Sequence, residues 1–131
     1  IVGFPGETEE EFKKTYEFLK EIKFYKMHVF KYSKRSRTKA ATMPNQIKPE
    51  IQEKRSKRLI ELSDLNQKEY NKEYIGKTLE VLFEEQNGEY IKGHTQNYIV
   101  VNVKGNISSF HNEIINVKIV GMLGDELLGI V

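Results

Sequence analysis

The apolar positions of this chain change their period along its length, and the change predicts different structure in different parts. Near the start they recur every three or four residues, which predicts an amphipathic helix; they are Phe12, Tyr16, Leu19 and Ile22. Thr8 and Glu11 have the spacing of a capping box at the start of this helix, in which each side chain bonds the other residue's amide. An apolar dipeptide before the turn at 3–6, and a strand-like run at 27–30, complete a predicted β/α repeat.

A second, longer helix is predicted over 49–74. Pro49 suits its first turn, where a proline removes no hydrogen bond, and Gly76 suits its end. Its apolar stripe is thin and consists of Ile51, Leu59, Leu62, Leu65 and Tyr70. A long and mostly polar helix of this kind is typical of a connection between two domains.

From residue 77 onward the apolar positions alternate, as in Leu79, Val81 and Phe83, which predicts strands. Asn87-Gly88 predicts a hairpin with a type I′ turn. Further strands are predicted at 90–95, 98–103, 114–120 and 126–131. Five short strands in about 55 residues favour a small OB-like antiparallel β-barrel, because closure removes the sheet edges. The predicted fold class is therefore α+β: a β/α remnant at 1–45, a connecting helix at 46–75 and a barrel at 76–131.

Charge is distributed unevenly although the net charge is only +2. Residues 22–49 contain no acidic residue, and their cations are Lys23, Lys26, Lys31, Lys34, Arg35, Arg37, Lys39 and Lys48. Residues 76–131 instead carry seven carboxylates and four lysines, a balance of −3. A cationic stretch beside a mildly acidic module indicates a polyanionic partner for the first part. A plain solvated lysine-rich loop is the alternative.

Residues 31–39 place tyrosine and hydroxyl groups among basic side chains, a combination that suits phosphate pairing and base stacking. The predicted RNA-binding residues here are Lys34, Arg35, Arg37 and Lys39. Lys92 and Tyr98 are the candidate RNA-binding residues in the barrel. The alternative, given equal weight, is that they are ordinary surface residues without a binding role.

The turn at 3–6 leads into a helix whose first turn holds three glutamates, so it disfavours phosphate and better suits a neutral or zwitterionic ligand. A plain β/α turn is the alternative. The chain has no cysteine, and its histidines His28, His94 and His111 are far apart, so no metal site is predicted. No catalytic residue and no membrane span is predicted either.

These segments together resemble the radical-SAM tRNA methylthiotransferases. Ile1-Val2-Gly3-Phe4-Pro5-Gly6-Glu7-Thr8 resembles the fifth strand and turn of their catalytic barrel, and 28–43 resembles the sixth strand and its loop. Residues 55–62 resemble the connecting helix, and the remainder is similar to the closing TRAM domain. The nearest resemblance is to the branch that acts on threonylcarbamoyl-adenosine at position 37 of tRNA. The chain departs from the family pattern at Lys31, usually Pro, and at Arg37, usually Gly, so a different loop turn is expected.

The resemblance implies that Ile1, Gly3 and Phe4 lie against S-adenosylmethionine, that the loop and the TRAM domain hold tRNA, and that the parent enzyme carries two 4Fe–4S clusters. Because this chain lacks cysteine, we expect a C-terminal fragment that binds no cluster and is not itself catalytic, whereas the parent is an enzyme. A cytoplasmic location without a protein partner is expected. A stand-alone RNA-binding module, or a mere interaction domain, is the alternative.

Overall fold

The computed structural model describes residues 1–110 and 112–131. Contacts within the chain define two compact units, Ile1–Gln67 and Lys68–Val131. The helices are α1 (Glu9–Ile22), α2 (Lys39–Thr42) and α3 (Pro49–Lys72), with a short 3₁₀ helix at Ile107–Ser109. The strands are β1 (Thr78–Asn87), β2 (Tyr90–Thr95), β3 (Val100–Lys104), β4 (Ile114–Leu123) and β5 (Glu126–Ile130). Helix α3 contributes residues to both units, and the three-part division predicted above stays a prediction.

Helix α1 begins with the predicted capping box. The Thr8 hydroxyl accepts from the Glu11 amide at 3.1 Å, and the Glu11 carboxylate accepts from the Thr8 amide at 2.8 Å. Two amides that would otherwise lack partners at the helix start are thereby satisfied. The helix ends at Lys23, whose φ of 56° is the left-handed conformation common after a last turn.

The core of the first unit joins α1 to α3. Phe12 is fully buried and packs with Val2, Leu59 and Leu62. The predicted stripe on α3 is thus confirmed at Leu59 and Leu62, but Leu65 is 53% exposed and stays outside the core.

The predicted strand at 27–30 is wrong as a strand. The backbone there makes one parallel bridge, between Val2 and Lys31, through Val2 N to Phe30 O at 2.8 Å and Tyr32 N to Val2 O at 2.7 Å. An apolar run becomes a strand only where a neighbour continues the ladder, and among the described residues only Val2 forms a bridge with this run. The short helix α2 lies in a stretch predicted as loop.

The second unit is a sheet that closes on itself in the order β1-β2-β3-β5-β4. Five strands are confirmed, and the arrangement is compatible with a small OB-like domain. The prediction of a wholly antiparallel barrel is wrong, because β3 and β5 pair in parallel. A closed ring with an odd number of strands cannot alternate direction throughout, so at least one neighbouring pair must be parallel.

Residues of strand β1 alternate between the buried and the outward face of this sheet. Val81 and Phe83 point inward and are fully buried, as the alternation predicts. The hairpin to β2 is confirmed, but its turn is not type I′: Asn87 pairs with Tyr90, so Gly88 and Glu89 are the central residues. Only Gly88 of these two has a positive φ, 60°, which is the type II′ pattern.

Candidate cofactor turn and nucleic-acid interface

The turn at 3–6 is held by side chains from α3. Arg55 donates from Nη1 to the Glu7 carbonyl at 3.0 Å and to Glu7 Oε1 at 2.7 Å. Glu7 Oε1 in turn accepts the Gly3 amide at 3.0 Å, and the Gln52 amide donates to the Gly3 carbonyl at 3.0 Å. Arg55 is 5% exposed, so this network lies in the interior of the first unit.

Gly3 is required by this network for two reasons. Its φ of 75° is strained for any residue with a side chain, and an added Cβ would lie 2.3 Å from Gln52 Cγ. Both backbone polar groups of Gly3 are already engaged, the amide with Glu7 and the carbonyl with Gln52. The structure therefore gives Gly3 a part in shaping the turn.

The other two residues predicted to contact a cofactor are accessible. Ile1 is 80% exposed and Phe4 is 45% exposed. The Phe4 ring meets the Tyr32 ring edge-on, with centroids 5.5 Å apart. Ile1 and Phe4 together present apolar and aromatic surface beside the turn, which suits a planar ring more than a charged group.

The basic loop, defined as residues 31–39, leaves its predicted RNA-binding side chains in solvent. Lys34, Arg35, Arg37 and Lys39 are all exposed. Thr38 caps α2 by accepting from the Ala41 amide at 3.3 Å, and its own hydroxyl donates to the Arg35 carbonyl at 2.8 Å. The loop backbone is thus hydrogen-bonded, while these four cations remain exposed.

Lys31 and Arg37 differ from the other cations of the loop. Lys31 is not available in the same way, because its ammonium pairs with Glu53 at 2.5 Å and lowers the pKa of that carboxyl. Arg37 has a φ of 68°, a conformation that glycine adopts without strain. A glycine at position 37 would fit this turn without strain, whereas the arginine adds a charge at a strained position. That the turn differs from the family pattern stays a prediction.

Lys92 is engaged within the second unit. Its ammonium lies 2.7 Å from Glu126 Oε1, and Asn102 donates to the other oxygen of Glu126 at 2.8 Å. Burial by itself would raise the pKa of Glu126, but the hydrogen bonds from Lys92 and Asn102 and the Lys92 charge outweigh it, so the pKa is lowered. The Lys92 ammonium is therefore already paired with a carboxylate, and its side chain is only 23% exposed.

Tyr98 does not begin a strand as predicted but lies in the β2–β3 turn. Its φ is 62° and its side chain is 80% exposed. The turn is fixed because the Tyr98 amide donates to the Thr95 carbonyl at 2.9 Å, and the Ile99 amide donates to the buried Thr95 hydroxyl at 3.0 Å. A bulky residue at positive φ is uncommon and is held there by its surroundings.

Tyr98 borders an open groove of about 660 Å³ on the outer face of the sheet. Residues that line it include Glu80, Leu82, Glu84, His94, Tyr98 and Ile114. Lys92 is not among the lining residues. The groove was missed at the sequence level, although the outward positions of β1 carried the signal: Glu80, Leu82 and Glu84 alternate with the buried Val81 and Phe83.

The predicted site residues thus fall into separate groups. The loop cations and the turn residues belong to the first unit, whereas Lys92 and Tyr98 belong to the second and contact different neighbours there. Within the described residues, no group of three or more His, Asp or Glu side chains is placed to hold a metal ion, and His111 lies outside them. No helix in the described part of the chain has the length and apolar character to cross a membrane.

Comparison with known proteins places this chain among relatives of one chemical class. It is 46% identical over 124 residues to the threonylcarbamoyladenosine tRNA methylthiotransferase MtaB of Bacillus subtilis, covering 91% of this chain and 27% of that protein. It is 40% identical over 121 residues to a tRNA-2-methylthio-N(6)-dimethylallyladenosine synthase of Caldicellulosiruptor saccharolyticus, covering 91% and 26%. It is 42% identical over 138 residues to the ribosomal protein uS12 methylthiotransferase RimO of Clostridium botulinum, covering 100% and 31%. No protein-family model matches the chain.

The homologues of this chain are therefore tRNA and ribosomal-protein methylthiotransferases. The chain spans about three-tenths of the length of these relatives. Similarity is comparable for relatives named for different substrates, so it does not single out the threonylcarbamoyladenosine branch.

Proposed function

We propose that this chain is the C-terminal portion of a radical-SAM methylthiotransferase that modifies an adenosine at position 37 of tRNA in the cytoplasm, and that residues 76–131 are its TRAM domain. The observation that carries the proposal is similarity over nine-tenths or more of the chain to relatives named for methylthio modification of tRNA. The closed five-stranded sheet is compatible with a small nucleic-acid-binding barrel.

In this proposal the basic loop supplies the main contact with the tRNA backbone. Lys34, Arg35, Arg37 and Lys39 are exposed on a loop whose backbone is hydrogen-bonded. The nearest acidic residues in sequence are Glu21 and Glu50. Guanidinium and ammonium groups displayed in this way attract phosphates and release counterions on binding.

The turn at 3–6 would contribute one edge of the S-adenosylmethionine pocket. Ile1 and Phe4 offer accessible apolar surface that suits the adenine ring, and Gly3 holds the turn in shape through its bonds to Glu7 and Gln52. When bound, S-adenosylmethionine and its 4Fe–4S cluster supply the radical chemistry of the parent enzyme. Because this chain has no cysteine, thiolate ligands for the two clusters must come from elsewhere in that protein.

A protein substrate is the second candidate, and two observations favour it. One relative, 42% identical over the whole chain, is named for the ribosomal protein uS12. Residues 76–131 also carry a balance of −3, which would attract a basic protein more than a polyanion. An RNA-binding module without enzymatic activity is the third candidate.

Translation of the coding sequence upstream of Ile1 separates the enzyme from the isolated module. A Cys-x-x-x-Cys-x-x-Cys motif in frame supports the enzyme, and a start codon close to Ile1 contradicts it. The full-length protein is then incubated with tRNA and with ribosomal protein uS12, and the products are measured by mass spectrometry. A methylthio group on the tRNA alone is expected. Modification of uS12 alone would replace the tRNA proposal with the protein candidate.

A further inference from the structure

The groove beside Tyr98 is built from the outward residues of three paired strands. Leu82 on β1 lies opposite His94 on β2 and opposite Ile114 on β4, so these side chains form its centre. Glu80 and Glu84 also line the groove, before and after Leu82 on β1, although the pairing of β1 with β2 is irregular between Phe83 and Glu85. An apolar centre is thereby flanked by two carboxylates.

The chemistry of these residues disfavours phosphate in the groove. Glu80 and Glu84 are both exposed and carry like charge with a phosphate. His94 Nδ1 lies 3.4 Å from Glu84 Oε2, and in the described part of the chain Glu84 has no other partner. One carboxylate oxygen of Glu84 is therefore available to accept a hydrogen bond from a ligand N–H group.

The apolar residues of the groove favour a planar ligand. Ile114 is 69% exposed and Tyr98 is 80% exposed, although large apolar side chains are usually covered. The fixed turn at Thr95–Ile99 holds the Tyr98 ring in solvent, where it can stack on a flat π-system. An ammonium ion would lose hydration over Leu82 and Ile114, whereas a nucleobase covers them with its face and directs its N–H groups to a carboxylate.

We propose that this groove binds an unpaired RNA base that carries an exocyclic amine, stacked on Tyr98 and hydrogen-bonded to Glu84. The inference rests on the proposed tRNA-binding function and adds to it a site that reads a base rather than the phosphate backbone. Carboxylates accept hydrogen bonds from the amine of cytosine, and uracil has a carbonyl oxygen in that position. Cytosine is therefore preferred to uracil.

The test compares labelled hexacytidylate with hexauridylate by fluorescence anisotropy on the 131-residue chain. We expect hexacytidylate to bind about 2- to 10-fold more tightly, the range of one hydrogen bond. Glu84→Gln is expected to remove this preference, because an amide can serve cytosine and uracil alike. Tyr98→Ala is expected to lower the affinity for both oligonucleotides by about 5-fold or more. Tyr98→Phe keeps the ring and is expected to leave both affinities unchanged.

Controls distinguish failure of this inference from failure of the proposed function. Circular dichroism establishes that each variant is folded, and Ile114→Ser provides a second change at an exposed groove position. Binding of tRNA with no cytosine preference and no effect of Tyr98→Ala or Ile114→Ser would overturn the base site alone. Absence of any RNA binding would overturn the proposed function as well. If a tetralysine peptide binds the wild type but not Glu84→Gln, the groove is a protein-docking site and the inference is overturned.

Discussion

Replacement of Arg55 by Met is expected to destabilise the first unit strongly. The arginine side chain is 6% exposed, and its partner Glu7 is 15% exposed. The change removes both Nη1 bonds to Glu7 and leaves that carboxylate in the interior with the Gly3 amide as its remaining donor. Removal of one partner from a buried ion pair costs about 3–5 kcal/mol, because the other charge stays buried without compensation.

Arg58 provides a matched control on the same helix. Arg55 and Arg58 each lie 3.3 Å from an oxygen of the Glu9 carboxylate. Both also lie over the Phe12 ring, Arg58 at 5.0 Å and Arg55 at 5.4 Å. The Arg58 side chain is 39% exposed, so the Arg58→Met change should cost only about 0.2–1 kcal/mol. Both variants lose a cation–π contact with Phe12, and Arg58→Met also loses one with Tyr16, at 5.1 Å. A larger loss in Arg55→Met is therefore due to its buried bonds to Glu7.

Hydrogen exchange at the Phe12 amide measures both variants within the first unit. This amide donates to the Thr8 carbonyl at 3.0 Å in a fully buried residue, so its exchange requires opening of the core. Arg55→Met should accelerate exchange by about 150- to 5,000-fold, which is the predicted free energy converted at 1.36 kcal/mol per tenfold. Equal acceleration in the two variants would refute the reasoning, since burial would then make no difference.

Three further changes have definite expected outcomes. Gly93→Ala should destabilise the second unit by about 1–3 kcal/mol in urea unfolding, because its Cβ would lie 2.3 Å from the Leu82 carbonyl oxygen; wild-type stability would contradict this contact. The pKa of Glu126 in the folded state lies below its ordinary value of 4.5, so the ionised carboxylate stabilises the fold at pH values above 4.5. This stabilisation is lost as the pH falls through the lower pKa of the folded state. Glu126→Gln should therefore flatten the acid limb of a stability–pH profile below about pH 4.5, and an unchanged limb would exclude that contribution. Thr8→Ala should cost about 0.5–2 kcal/mol by loss of the cap, measured by thermal unfolding, and no change in melting temperature would argue against the capping box.

Local features of this fold were predictable from sequence because neighbouring residues determine them. The capping box at Thr8 and Glu11 and the proline start of α3 follow from short-range chemistry, and both are present. The alternation in β1 gave the inward and outward faces correctly. Tyr98, by contrast, was predicted to begin a strand because it stands next to an apolar run. Its left-handed conformation accompanies the hydrogen bonds that the Tyr98 and Ile99 amides donate to Thr95 in the turn.

The candidate site was predictable only in part because its partners are distant in sequence. The exposed loop cations follow from the charge distribution alone, but the engagement of Lys92 depends on Glu126, which is 34 positions further along the chain. The clamp of Arg55 on Glu7 joins residues 48 positions apart, and no local pattern marks it. The groove required the register of β1 with β2 and β4, which the tertiary fold supplies.

The central claim, that the loop cations hold the tRNA backbone, is tested most directly by the salt dependence of tRNA binding. If the four loop cations contact phosphates, affinity should fall by about 50- to 150-fold between 50 and 200 mM salt. Arg35→Gln combined with Arg37→Gln should lower the log–log slope by about 1.4–1.8, and Lys92→Gln should leave it unchanged. A slope that is the same in the double loop variant and in the wild type would contradict the account.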